Sequence, residues 1–181
     1  MADARTFLRD SNCRIALLAA AVFGLDQLTK WLVVRWLDPH PFLRTYMDSG
    51  EKIIIPGFFK FVYWGNTGAA WSLFSGNNGA LALVALLALV ALFLTRHHFD
   101  SHTLIGQVAF GLIFGGIAGN LADRLIRGQV VDFIRFYINQ RGGHEIGFPA
   151  FNVADTAICT GVGLIFLITW KNEHKNPAKT T

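Results

Sequence analysis

Charge is scarce in this sequence. Asp, Glu, Lys and Arg supply 15% of its 181 residues, against about 25% in a typical soluble domain. That deficit, with 52% hydrophobic residues and a mean hydropathy of +0.40, points away from a water-soluble globule and toward a membrane protein. Cysteine is nearly absent. Cys13 precedes the first apolar run and Cys159 lies inside the last, so the 2 cysteines make neither a disulfide framework nor a metal site. The 6 histidines (His40, His97, His98, His102, His144 and His174) lie outside the apolar runs, and no His-Glu-x-x-His or similar zinc spacing occurs. No Gly-x-Ser-x-Gly elbow surrounds Ser72 or Ser75. Gly65-Asn66-Thr67-Gly68 lacks the lysine of a phosphate-binding loop and reads as a tight turn after a strand. A basic excess does exist, with a net charge of +4. Its lysines and arginines sit at the ends of apolar runs, where they meet lipid headgroups. No basic patch interleaved with aromatics appears, so nucleic acid is not an expected partner.

What the sequence does have is four long apolar runs, each near the 20 or so residues that a helix needs to cross a bilayer. They span Ile15 to Leu37, Gly79 to Leu94, Thr103 to Ala122 and Phe151 to Trp170. The second is short and has an alternative start a turn earlier, near Phe74. The first follows Arg5, Arg9 and Arg14 like a secretory leader, yet Asp26-Gln27-Leu28-Thr29-Lys30 stands where a small-residue cleavage site belongs. It reads as a retained helix. The length fits one four-helix unit covering residues 1–181. An even number of spans puts both termini on one side, but the positive-inside count does not choose the side. Arg5, Arg9, Arg14, Arg96, Lys171, Lys175 and Lys179 oppose Arg35, Arg44, Lys52, Lys60, Arg124, Arg127, Arg135 and Arg141.

The first and third connections carry strand-like runs rich in β-branched and aromatic residues. These are Lys52 to Ile55, Phe58 to Trp64 after Pro56-Gly57, and Val130 to Tyr137. A small sheet on one membrane face is expected from them. Gly142-Gly143 marks a turn, and Pro149 leads into the last helix.

An ionisable residue in or beside a membrane span is costly, and marks a functional site by default. Asp26, Asp123, Asp132 and Asp155 qualify. Asp26 and Lys30, four apart, share a helical face as an ion pair; on sequence alone, locking the first helix outweighs catalysis. Asn120 and Asp123 close the third span, and Asn152 and Asp155 open the fourth with the same spacing. Each pair points an amide and a carboxylate the same way. Polar contacts between helices explain one such pair; two at matching depth strain that explanation. Asp132 lies within a strand-like run, where it is either paired or protonated. Two carboxylates brought together share a proton, so one activates water while the other protonates the carbonyl oxygen or leaving amine. That chemistry hydrolyses a peptide with no metal and no cofactor. Asp123 rivals Asp132 and Asp155 for a catalytic place, but Arg124 beside it opposes proton sharing, which gives Asp123 a structural role. A proton-coupled transporter also uses intramembrane Asp, Asn and Lys, although the sequence flanking the two Asn-x-x-Asp groups does not repeat. A membrane scaffold has no need of Asp132 in an apolar strand.

Five motifs together resemble the bacterial lipoprotein signal peptidases, also called signal peptidase II. They are Asp26-Gln27-Leu28-Thr29-Lys30, Asn66-Thr67-Gly68-Ala69-Ala70-Trp71-Ser72, Gly119-Asn120-Leu121-Ala122-Asp123-Arg124, Val130-Val131-Asp132-Phe133 and Phe151-Asn152-Val153-Ala154-Asp155. The resemblance covers nearly the whole chain; Trp71 stands where Phe is common and Thr156 where Ser is common. It implies an α-helical integral membrane protein with four transmembrane helices and a small β-sheet platform. It also implies an aspartic endopeptidase of the bacterial inner membrane, which cleaves diacylglyceryl-modified prolipoproteins just before the lipidated cysteine. Carried over, the catalytic pair is Asp132 and Asp155. Supporting or substrate-binding positions are Asp26, Lys30, Asn66, Gly68, Asn120, Asp123, Arg124, Asn152 and Ala154. Both termini are then cytoplasmic and the site faces the periplasm. The expected partners are prolipoproteins and membrane lipids, and a monomer is expected.

Overall fold

The computed structural model describes residues 11–37, 50–68, 77–142 and 144–175. The apolar runs form α1 (Ser11–Leu37), α2 (Asn78–Thr95), α3 (Leu104–Arg127) and α4 (Val153–Lys175). All four helices are long and apolar enough to cross a membrane. In hydrocarbon a helix satisfies every backbone group within its own segment, so such runs have few alternatives. Helix ends differ from the hydropathy limits for local reasons. α3 starts after Thr103, whose hydroxyl accepts the Gly106 N–H at 3.1 Å. It continues past Ala122 to Arg127, because Arg124 and Arg127 complement the dipole of its last turn and Gly128, at φ 73°, supplies the left-handed stop. An earlier start of α2 near Phe74, Trp71 and Gly143 fall outside the described residues.

α3 is the hub against which α1 and α4 pack most extensively. Half of its apolar window (50%) is buried, against 6% for α2, which therefore gives most of its surface to lipid. Small residues permit the close approach. A Cβ on Gly116 would stand 2.5 Å from the Ala154 carbonyl oxygen, and one on Gly119 would collide with Asp26 Oδ2. α1 shows the inversion that lipid imposes. Leu25, Leu28, Trp31, Leu32 and Trp36 are exposed, while Asp26 and Lys30 are fully buried.

Beyond the ends of α1 and α3 lies an antiparallel sheet of β1 (Glu51–Ile55), β2 (Phe59–Asn66), β3 (Val130–Asn139) and β4 (Glu145–Gly147), in that spatial order. The first three strands are those the sequence predicts. β4 was not legible, because three residues carry no measurable alternation; it pairs with Tyr137, Ile138 and Asn139. Val33, Leu37 and Phe133 form the core between sheet and helices. Phe151 bridges to Ile134 of β3. That extended pairing keeps Phe151 out of the helix, and α4 starts at Val153.

Lys60 of β2 is buried, and its ammonium lies 2.7 Å from carboxylates of both Glu51 on β1 and Glu145 on β4. Strands two apart in a flat sheet are separated by roughly 10 Å. The long side chains of Lys60 and Glu145 span that distance across β3, with the Tyr137 ring 4.7 Å from the ammonium.

Candidate active site

Asp132 on β3 is 4% exposed, and Asp155 occupies the first turn of α4. Each carboxylate receives one donor on each oxygen. Asp132 accepts Asn66 Nδ2 on Oδ2 and Asn152 Nδ2 on Oδ1, both at 2.9 Å. Asp155 accepts Asn120 Nδ2 on Oδ1 at 2.7 Å and the Asn152 backbone N–H on Oδ2 at 3.2 Å. Asn152 Oδ1 in turn accepts the Asp155 N–H at 2.9 Å. The Asn-x-x-Asp opening α4 is thus a reciprocal capping box, and its asparagine also contacts the other aspartate.

The two Asn-x-x-Asp groups are crossed rather than parallel. Asn120 turns its amide across to Asp155 instead of along its own helix to Asp123. Its flip is set by its oxygen, which accepts Lys30 Nζ at 3.0 Å and Asn152 Nδ2 at 3.2 Å. Asn66 is oriented the same way, because its Oδ1 accepts the Gly68 N–H at 2.9 Å. Arg124 Nη2 then donates to the Gly68 carbonyl at 2.8 Å.

Behind the pair lies a fully buried ion cluster. Lys30 Nζ stands 2.8 Å from Asp26 Oδ2 and 2.8 Å from Asp123 Oδ2. Asp26 accepts the Ala154 N–H at 3.0 Å, and Asp123 accepts the Val131 N–H at 3.2 Å. Ala154 and Val131 directly precede Asp155 and Asp132. One lysine therefore spans, through two carboxylates, the backbones that carry the two site aspartates. The expected Asp123–Arg124 pairing is corrected here. Asp123 is paired with Lys30 and with Arg127, because Arg127 is one turn on along the same face whereas the adjacent Arg124 points to Gly68.

Burial pushes the Asp132 carboxyl up to about 7, and the neighbouring Asp155 charge pushes the same way; hydrogen bonds from Asn66 and Asn152 and the Lys30 charge pull it back. A buried Asp132 able to keep its proton at neutral pH, beside the partly buried Asp155, equips the pair for general acid–base work on water. Among the described residues no group of three His, Cys, Asp or Glu side chains converges to hold a metal ion.

The model of the family described as signal peptidase (SPase) II matches residues 18–171. The chain belongs to the signal peptidase II family. It is 40% identical over 162 residues to the lipoprotein signal peptidase of Symbiobacterium thermophilum, covering 89% of this chain and 97% of that one. Its identity to the lipoprotein signal peptidase of Azoarcus sp. is 42% over 155 residues, with 82% and 77% covered. A solved bacterial membrane enzyme, determined by the in meso method at 2.3 Å, matches with a TM-score of 0.73 and 30% identity over 92% of this chain and 93% of that one. A second, at 1.9 Å, matches with a TM-score of 0.63 and 31% identity over 92% and 94%. This signal peptidase II family member is a multi-pass bacterial membrane protein and an aspartic endopeptidase.

All eleven site positions carried over from the motifs belong to one connected network in the structure. Gln27 and Arg127 also belong to it and were not singled out as site residues. Gln27 donates to Asp26, Asp123 and the Gly119 carbonyl; an amide within an apolar span was its signal. Arg127 donates to Gln27 and Asp123, and the spacing that links Asp26 to Lys30 also links Asp123 to Arg127.

Proposed function

We propose that the protein removes the signal peptide of diacylglyceryl-modified prolipoproteins, cutting just before the lipidated cysteine, with Asp132 and Asp155 as the catalytic pair. The observation that carries the reading is the pairing itself. Buried Asp132 and partly buried Asp155 come from different elements, the Asp155 charge helps raise the Asp132 carboxyl, and the single Asn152 side chain joins them. Asp155 takes a proton from water as the oxygen attacks the scissile carbonyl, and Asp132 gives its proton to the carbonyl oxygen. The tetrahedral diol then collapses as Asp155 gives its proton to the leaving nitrogen and Asp132 takes one back from a diol hydroxyl, which returns the pair to a single shared proton. Asn66, Asn120 and Asn152 orient the acids. Arg124 Nε is buried with no hydrogen-bond partner among the described residues, and so retains a donor for the substrate main chain.

The site lies toward the periplasm and both termini are cytoplasmic. Arg14, Arg96 and Lys171 at the opposite end of the helices support this orientation. The enzyme acts as a monomer.

The test is cleavage by the purified protein of one prolipoprotein prepared with and without the diacylglyceryl group, with the cut located by mass spectrometry. Cleavage of the modified form before its cysteine is expected. Equal cleavage of the unmodified form would overturn the substrate assignment. A second measurement reads the proton. Asn66→Leu removes a donor that favours the charged form of Asp132, so its carboxyl rises further. The alkaline fall of kcat/KM, near pH 7 in the wild type, is expected to move to higher pH at lower overall activity. An unchanged alkaline limb would mean that Asp132 does not set it.

A further inference from the structure

Near the catalytic pair, the cations are mostly committed. Lys30 and Arg127 are held by Asp26 and Asp123, and Lys60 takes both Glu51 and Glu145. Arg135 differs. It lies on β3, the strand of Asp132, and among the described residues no carboxylate forms an ion pair with it. Its Nε is buried and has no hydrogen-bond partner among the described residues. Its guanidinium lies 4.2 Å over the ring of Trp64, and Trp64 is the cross-strand partner of Asp132. The cation is thus folded back toward the catalytic end of the sheet. Trp64 is 37% exposed, so this platform opens outward. Stacking on an aromatic face holds a guanidinium plane still and leaves its edge for an in-plane, two-pronged partner, which a carboxylate supplies.

On the reading that the protein cleaves prolipoproteins, we infer that Arg135, held by Trp64, is a specificity-determining residue that receives an acidic side chain of the substrate on the mature side of the scissile bond. The apolar signal segment belongs among the spans, whereas the sheet lies beyond them, where the mature chain leaves. Arg135 is three residues along β3 from Asp132, and strands advance about 3.3 Å per residue. An extended substrate therefore passes it within the first three positions after the cysteine.

The test uses the full chain in phosphatidylcholine nanodiscs, with diacylglyceryl-modified substrates carrying Asp, Ser or Lys at each of those positions. At one position kcat/KM is expected to favour Asp over Ser by about tenfold, mainly through KM, with Lys poorest. Arg135→Gln should erase that preference while cleaving the Ser substrate normally, and Arg135→Glu should turn it toward Lys. Should Arg135→Gln fold poorly, Arg135→Lys keeps the charge and should keep the direction of the preference. Wild-type cleavage without a charge preference, or a preference that survives Arg135→Gln, overturns this inference alone. So does an effect of Arg135→Gln that follows added phosphatidylglycerol rather than substrate charge, which would assign the cation to lipid phosphate. No cleavage of any substrate by the wild type overturns the proposed function, and this inference with it.

Discussion

Asp132→Asn and Asp155→Asn, made separately, are each expected to lower kcat by on the order of 10²–10⁴-fold, the range that a positioned acid or base contributes, while the fold survives. The geometry says why asparagine is not a neutral replacement in catalysis. Each aspartate offers two acceptor oxygens to two fixed donors, and an amide offers one. One donor must be lost, and the remaining group neither takes a proton from water nor gives one. Stability should respond differently. A carboxyl whose folded pKa is raised from about 4 to about 7 binds more proton folded than unfolded between those values. It therefore withdraws stability as pH rises through that window. Asp132→Asn should flatten this fall, so that its Tm at pH 8 lies close to or above that of the wild type. Tm and cleavage measured on the same detergent samples decide the matter; wild-type turnover in either variant would remove that aspartate from the mechanism.

The second large effect is expected at Lys30. Lys30→Met deletes the cation that, alone among the described residues, touches both Asp26 and Asp123, and among those residues Asp26 is left buried without one. Breaking a buried pair from one side costs about 3–5 kcal/mol, which predicts a large drop in Tm. Adding Asp26→Asn removes the stranded charge while keeping an acceptor for the Ala154 N–H, so the double variant should recover much of the loss. Asp123 keeps Arg127 in both variants. Equal Tm values for Lys30→Met and the double variant would contradict the charge argument, because the coupling between contacting residues would then be absent. Activity should stay low even where stability returns, since the link between the Val131 and Ala154 backbones is gone.

The four spans and three of the four strands were legible because lipid and sheet impose strong periodicities over many residues. The polar positions were legible as positions, since a charge in an apolar run stands out. Their partnerships were not. Asn120 and Asp123 share a helix face, yet Asn120 serves Asp155, because Lys30 fixes its oxygen. Nothing in a spacing of three residues records a contact made 35 residues away. The charge count failed for a similar reason. It treats every Lys and Arg as free, whereas Lys60 sits between two glutamates and Arg127 on Asp123.

Asn152 deserves a different kind of attention from someone wishing to stop the enzyme. Its one amide group caps α4, donates to Asp132 and touches Asn120. An inhibitor that drew this amide away would unsettle both acids through a single contact, without competing for either carboxylate. Escape by substitution would be narrow, because a replacement at 152 that evades such a compound must still cap the helix and still supply the donor.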